Sequence, residues 1–211
     1  MIALSASTAE RTVRHGVTWD EFESLLAANS EGPLRLAYSD GVLETVVPSI
    51  DHERRNRTLA LFVETAALEA GLDFDSLGSA TIRRPDLLKG VEPDSCYVFG
   101  TSIAKHGRPP DLVIEVDVTN DSTIKMPVFA ALGIPEVWHQ RGDSVLILVL
   151  RGAQYIAAQS LAFPGLDGPT LARFFRQRTD CTAGEWCGRI REWVRTTQPS
   201  ASAARPRQPR G

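Results

Sequence analysis

The chain has 211 residues, with 26 acidic against 23 basic side chains and a formal charge of −3. That length suits a single domain, and a composition 43% apolar and 23% charged is that of an ordinary globular protein, neither disordered nor disulfide-dense. The acidic balance excludes a histone-like or tail-driven polyanion binder, though not an enzyme with a locally basic groove.

Taken in order, residues 1–14 lack sustained apolar character and read as a flexible N-terminus. Met1 to Glu10 has no Lys or Arg and does not resemble a secretory signal. Trp19 to Ala28 reads as a helix with Thr18 as its N-cap. Leu34–Tyr38 and Val42–Val47 flank Ser39-Asp40-Gly41, a hairpin signal. Pro48-Ser49 opens a long helix that runs through Ala70 and closes at Gly71. Strands follow within Leu72–Arg83, Asp94–Phe99 and Leu112–Val118, then a helix over Ser122–Leu132 ending at Gly133. Strands at Glu136–His139, Ser144–Leu150 and Gln154–Ala157 precede helices at Thr170–Arg178 and Ala183–Val194. Residues 196–211, rich in Pro, Arg, Ser and Ala with no large apolar side chain, read as a disordered tail. This order of elements predicts an α/β layered architecture in one domain over residues 15–195.

No apolar run approaches the ~20 residues of a membrane-spanning helix, so no membrane partner is expected. Cys96, Cys181 and Cys187 form no disulfide framework, and the last two are wrongly spaced for a zinc ribbon. Three reduced thiols in a cytoplasmic protein are expected.

The chemistry-bearing residues sit at unusual places. In Leu112–Val118, alternation puts Leu112, Ile114, Val116 and Val118 on one face and Val113, Glu115 and Asp117 on the other. Asp94 opens a strand directly after Pro93, and Glu44 interrupts the apolar run Val42–Val47. An acid inside an apolar strand needs a partner or a metal if it is buried; facing solvent on a half-buried sheet is the plainer alternative. Lys125 shares a helical face with Phe129 and Leu132, where a snorkelling stem is the plainer alternative. The apolar stripe of the long helix, Leu59, Phe62, Val63, Ala66 and Ala70, continues backwards into Asn56 and His52. A helix end bordering a polar pocket would look like this, as would an ordinary capping or core histidine. There is no Walker loop, Rossmann glycine fingerprint, nucleophile elbow or zincin pair.

Three blocks resemble one family. Arg35-Leu36-Ala37-Tyr38-Ser39-Asp40-Gly41-Val42-Leu43-Glu44 with Pro48-Ser49-Ile50-Asp51-His52-Glu53 comes first, and Gly90-Val91-Glu92-Pro93-Asp94-Ser95-Cys96-Tyr97 second. The third is Pro110-Asp111-Leu112-Val113-Ile114-Glu115-Val116-Asp117, running on through Lys125 to Ala130-Ala131-Leu132-Gly133-Ile134-Pro135-Glu136-Val137-Trp138. Together they resemble the Uma-two family, restriction-endonuclease-like proteins of the PD-(D/E)XK nuclease superfamily. The resemblance spans about His15 to Val194.

It implies a restriction-endonuclease-like fold, a mixed central β-sheet flanked by helices. It further implies a metal-dependent endonuclease that hydrolyses phosphodiester bonds of nucleic acid, with DNA favoured over RNA as the substrate. Asp94 and Glu115 would ligate Mg²⁺ or Mn²⁺. Asp117 stands where the E-x-K lysine belongs, and Lys125 in the next helix takes the matching catalytic place. Glu44 is a further acidic member and His52 matches a histidine at the start of the long helix; both join the catalytic set. Phe129 replaces a tyrosine, Ile124 replaces an acid before the lysine, and Pro127 threatens to shift Lys125. The alternative is a catalytically inactive nucleic-acid-binding or protein-interaction module on the same fold. The apolar strands after Trp138 lead to an expected homodimer.

Overall fold

A computed structural model describes residues 10–30, 32–100, 107–117 and 124–197. In chain order these form β1 (Glu10–His15), α1 (Trp19–Ala28), β2 (Arg35–Ser39), β3 (Val42–Val47), α2 (Ile50–Ala70), β4 (Phe74–Gly78) and β5 (Ile82–Arg84). A 3₁₀ turn at Pro85–Leu87 precedes β6 (Lys89–Val91), β7 (Ser95–Phe99), β8 (Leu112–Asp117) and α3 (Lys125–Ala131). Then come β9 (Glu136–Arg141), β10 (Ser144–Arg151), β11 (Gln154–Ala157), α4 (Gly168–Gln177) and α5 (Ala183–Thr197).

The larger sheet is six-stranded and mixed, in the order β11-β10-β9-β8-β7-β4. Its β8 and β9 run parallel because the chain returns between them through α3, as a parallel pair requires; its other neighbours are antiparallel. This is the mixed central sheet expected of the fold. The smaller sheet, antiparallel β1-β3-β2-β6-β5, is a feature that the reading as one central sheet did not separate out.

Local chemistry explains the main boundaries. Asp40 and Gly41 both take positive φ (47° and 86°), the geometry that a two-residue hairpin loop needs and that Asp-Gly tolerates. Thr18 and Glu21 form a reciprocal capping box on α1. Ser49 accepts the His52 amide at the start of α2, and Gly71 closes that helix in the left-handed conformation.

Burial follows the stripes. Leu59, Phe62, Val63 and Ala66 of α2 pack with Leu112, Ile114 and Val116 of β8, Trp138 of β9, and the aromatic and aliphatic faces of α4 and α5. On the opposite face of the larger sheet, Cys96, Val113 and Val137 meet Val128 and Phe129 of α3 together with Ala37 and Val91 of the smaller sheet. Trp19, Phe22 and Tyr38 cluster under α1, the last two rings stacked at 5.0 Å. All three cysteines are free.

Three boundaries are corrected. Residues 10–14, expected to be flexible, form most of β1 and pair with β3 along its whole length. The strand is almost wholly exposed, so backbone hydrogen bonds hold it and no apolar pattern announces it. The short β6 was not anticipated. Helix α5 runs to Thr197, so residues 196 and 197 belong to it; the rest of the expected tail, like residues 1–9, lies outside the described residues. No helix among the described residues is long and apolar enough to cross a membrane.

Candidate active site

Five elements bring the predicted residues into one buried cluster. On β8, Glu115 and Asp117 point away from α2, toward α3 and the smaller sheet. Asp94 lies just before β7, opposite Glu115, since Ser95 pairs with Ile114 in the antiparallel register. Its Oδ2 accepts the Val116 amide at 2.8 Å, which stitches the loop before β7 onto the end of β8. From α2, His52 places Nε2 at 3.1 Å from the same oxygen. Lys125, the first residue of α3, reaches back with Nζ to Glu115 Oε1. Glu44 comes from β3, where its carboxylate accepts Arg11 Nη2 at 2.7 Å. Glu44, His52, Asp94, Glu115 and Lys125 are each no more than 5% exposed.

Pro127 does not displace the lysine. It occupies the first turn of α3, where backbone N–H groups have no intrahelical acceptor to lose. The ion pair between Lys125 and Glu115 closes regardless.

The charges divide the two carboxylates. Burial opposes ionisation of Asp94, but His52, Lys125 and the Val116 amide outweigh it and hold its pKa below the usual range. Glu115 goes the other way: burial, then the adjacent Asp94 charge, push it up despite Lys125, and Asp117 adds to the repulsion. Lys125 is raised because Glu115, Asp94 and Glu44 overcome its desolvation. Both groups thus hold their protons more tightly than usual: Lys125 stays an ammonium, and burial beside Asp94 disfavours the charged form of Glu115. Burial alone would lower His52, but the hydrogen bond to Asp94, the neighbouring Glu53 carboxylate and the charges of Asp94 and Glu115 raise it to about 10. At neutral pH it is an imidazolium holding Asp94.

Unsatisfied atoms mark what the cluster could receive. Among the described residues, Glu115 Oε2 and Glu44 Oε1 are buried with no hydrogen-bond partner, which is costly for carboxylate oxygens. Hard oxygen donors with spare lone pairs fit Mg²⁺ or Mn²⁺, which are commonly bound through one or two carboxylates with water or phosphate completing the shell. A larger protein cage is not present: among the described residues no three His, Cys, Asp or Glu side chains group as ready metal ligands. Asp94 and Glu115 are the two carboxylates that the β7–β8 register sets opposite one another.

Some neighbours lie differently from what the spacing suggested, and others were missed. Asp117 turns to His139 on β9, at 2.6 Å, so it acts on Glu115 through its charge. Asn56 donates to the Asp94 carbonyl at 3.2 Å and accepts the Ser95 hydroxyl at 2.9 Å, which fixes the backbone on which Asp94 stands; the polar start of the α2 stripe was its only sequence signal. Arg11 had none, because its strand was not recognised.

With this geometry in place, a family model, Uma2, described as "Putative restriction endonuclease", matches residues 19–182. The chain belongs to the Uma2 family. That match covers every element from α1 to α4 and every residue of the cluster except Arg11. Uma2 membership assigns a restriction-endonuclease-like fold and a nuclease type of function, with nucleic acid as the class of substrate and divalent metals the usual helpers of such nucleases. No curated protein matches the chain.

Proposed function

We propose that this Uma2 protein is a metal-dependent endonuclease that hydrolyses phosphodiester bonds of DNA. The observation that supports it best is the meeting of Asp94 and Glu115 with Lys125 in one buried site, with Glu115 Oε2 left unpartnered among the described residues. Asp94 and Glu115 are the residues that would hold Mg²⁺ or Mn²⁺. Such a cation supplies charge relief at the phosphoryl oxygens and a more acidic water.

The chain's own groups have distinct tasks. Lys125 sets a permanent positive charge beside Glu115, where negative charge grows on the phosphate during attack. His52 holds Asp94 ionised and oriented, and Asn56 anchors its backbone. Glu44, steadied by Arg11, adds an anionic wall with one free oxygen. The Asp117–His139 pair stands where a lysine would be in an E-x-K site and leaves that duty to Lys125.

Nicking of supercoiled plasmid tests this reading. Purified protein with Mg²⁺ or Mn²⁺ converts it to open circles, and Glu115→Ala or Lys125→Ala abolishes conversion. Cleavage that survives both substitutions, or that never appears with any divalent metal on DNA or RNA, sinks it.

A specific observation favours a second reading, a catalytically inactive nucleic-acid-binding or protein-interaction module. Lys125 already compensates one of the two carboxylates, and no third ligand stands beside them among the described residues. That reading expects salt-dependent nucleic-acid binding with no cleavage and no sensitivity to EDTA. A homodimer is part of the proposal under either reading. Since Val145, Ile147 and Val149 are buried within the chain's own core, the edge strand β11 is the part left to pair, and light scattering reads the mass directly.

A further inference from the structure

Because β8 and β9 run parallel, the turn after β9 at Gly142 and Asp143 lies at the strand end where Asp117 sits, two residues beyond Glu115. Beside that turn is a cleft of about 820 Å³ formed with the opening turns of α2 and the end of α4, and four arginines, Arg54, Arg55, Arg176 and Arg178, line it. Three of them are braced by main-chain oxygens. Arg55 Nη1 donates to Gly142 O at 2.7 Å, Arg176 Nη1 to Asp143 O at 3.2 Å and Arg178 Nη1 to Cys181 O at 3.2 Å. A carbonyl orients a guanidinium without cancelling its charge, and most of its five donors stay available. Arg54 is exposed and its side chain makes no hydrogen bond or ion pair within the described residues.

Three aspartates share the lining. Asp51 is taken up by Arg55 at 2.7 Å, which leaves Asp143 and Asp180 against the remaining arginines and a cationic excess on a chain whose overall charge is −3. Phe175 lies in the same cleft, with the Arg55 guanidinium 6.0 Å from its ring centroid. Preset guanidiniums around a concave surface suit phosphate oxygens, and a half-buried ring offers a face to a base or sugar. The first two turns of α2 link cleft and site: His52 and Asn56 turn toward Asp94 while Arg54 and Arg55 face the cleft.

We infer that this cleft seats the phosphodiester backbone of the nucleic acid, flanking the phosphate presented to Asp94 and Glu115. The inference takes its ligand from the nuclease reading but does not depend on catalysis.

The test measures binding and cleavage separately. Anisotropy of a labelled DNA duplex, and of the RNA duplex of the same sequence, is followed across a salt series without divalent metal. The wild-type chain is compared with Arg54→Gln/Arg178→Gln and with Arg189→Gln/Arg191→Gln, which removes equal charge from α5 outside the cleft. The cleft variant should weaken binding about tenfold at low salt and reduce the slope of log K against log salt by about two, roughly one for each phosphate no longer neutralised. The α5 variant should bind within about twofold of wild type, and Arg54→Lys/Arg178→Lys should restore most of the slope.

Equal losses in the cleft and α5 variants, or none in either, overturn the cleft. If plasmid nicking persists in that case, the active-site proposal stands without it. Binding that depends on the cleft in a chain that never nicks supports the cleft and removes the nuclease. A wild-type chain that binds neither duplex overturns the cleft, and the nicking assay alone then decides the nuclease reading.

Discussion

At the scale of single residues, the ion pair between Lys125 and Glu115 dominates the energetics of the site. Both groups are fully desolvated, so each is tolerable only while the other remains. Lys125→Met should lower unfolding free energy by roughly 3–5 kcal/mol in urea titrations, since it strands Glu115 beside Asp94. Glu115→Gln combined with Lys125→Met should recover most of that loss, and a single-variant cost below about 1 kcal/mol would show that the pair is solvated. Much of this site was legible in the sequence: an acid inside an apolar strand and a lysine on a core-facing stripe are expensive placements that demand partners. What the sequence withheld was direction. Alternation placed Glu115 and Asp117 on one face, but only the packed structure shows one meeting Lys125 and the other His139.

The secondary-structure elements were legible where a side-chain rule sets them and obscure where the backbone alone does. The caps of α1 and α2, the Asp40-Gly41 turn and the alternation in β8 all have residue-specific causes. Strand β1 has none, which is why Arg11 and its bond to Glu44 went unforeseen. Helix α4 gives a pH test of one such cause. The hydroxyl and amide of Thr170 hold the Asp167 carboxyl below its ordinary value of 3.8, and the amide bond measures 2.9 Å. A depressed acid contributes stability that is complete above the unfolded value and disappears as pH falls through the folded one. Asp167→Asn, an equally good cap, should match wild type near pH 7 and lose less stability between about pH 5 and pH 2 in thermal melts. An unchanged acid limb would remove Asp167 as a contributor. Strand β6 allows a packing test. A Cβ at Gly90 would come within 2.5 Å of the Phe22 ring, so Gly90→Ala should cost roughly 1–3 kcal/mol by overpacking. A neutral result would mean that α1 moves aside easily.

For the whole molecule, the proposed function depends on elements far apart in the chain closing on one point. Strand β3 and helix α2 carry acid and imidazole, the β7–β8 pair carries the two carboxylates, and α3 returns an ammonium between the two sheets. The larger sheet was foreseeable from the order of its strands. The smaller sheet covering that point was legible only in its β2–β3 hairpin, because the exposed β1 and the three-residue β6 leave little trace in an amino-acid pattern. A crystal soaked in Mn²⁺ and measured for anomalous scattering examines the convergence itself. An anomalous peak bonded to both Asp94 and Glu115, and absent from Glu115→Gln crystals, is the predicted result. A density map with no peak at that position, or with manganese held only by other residues, would contradict it.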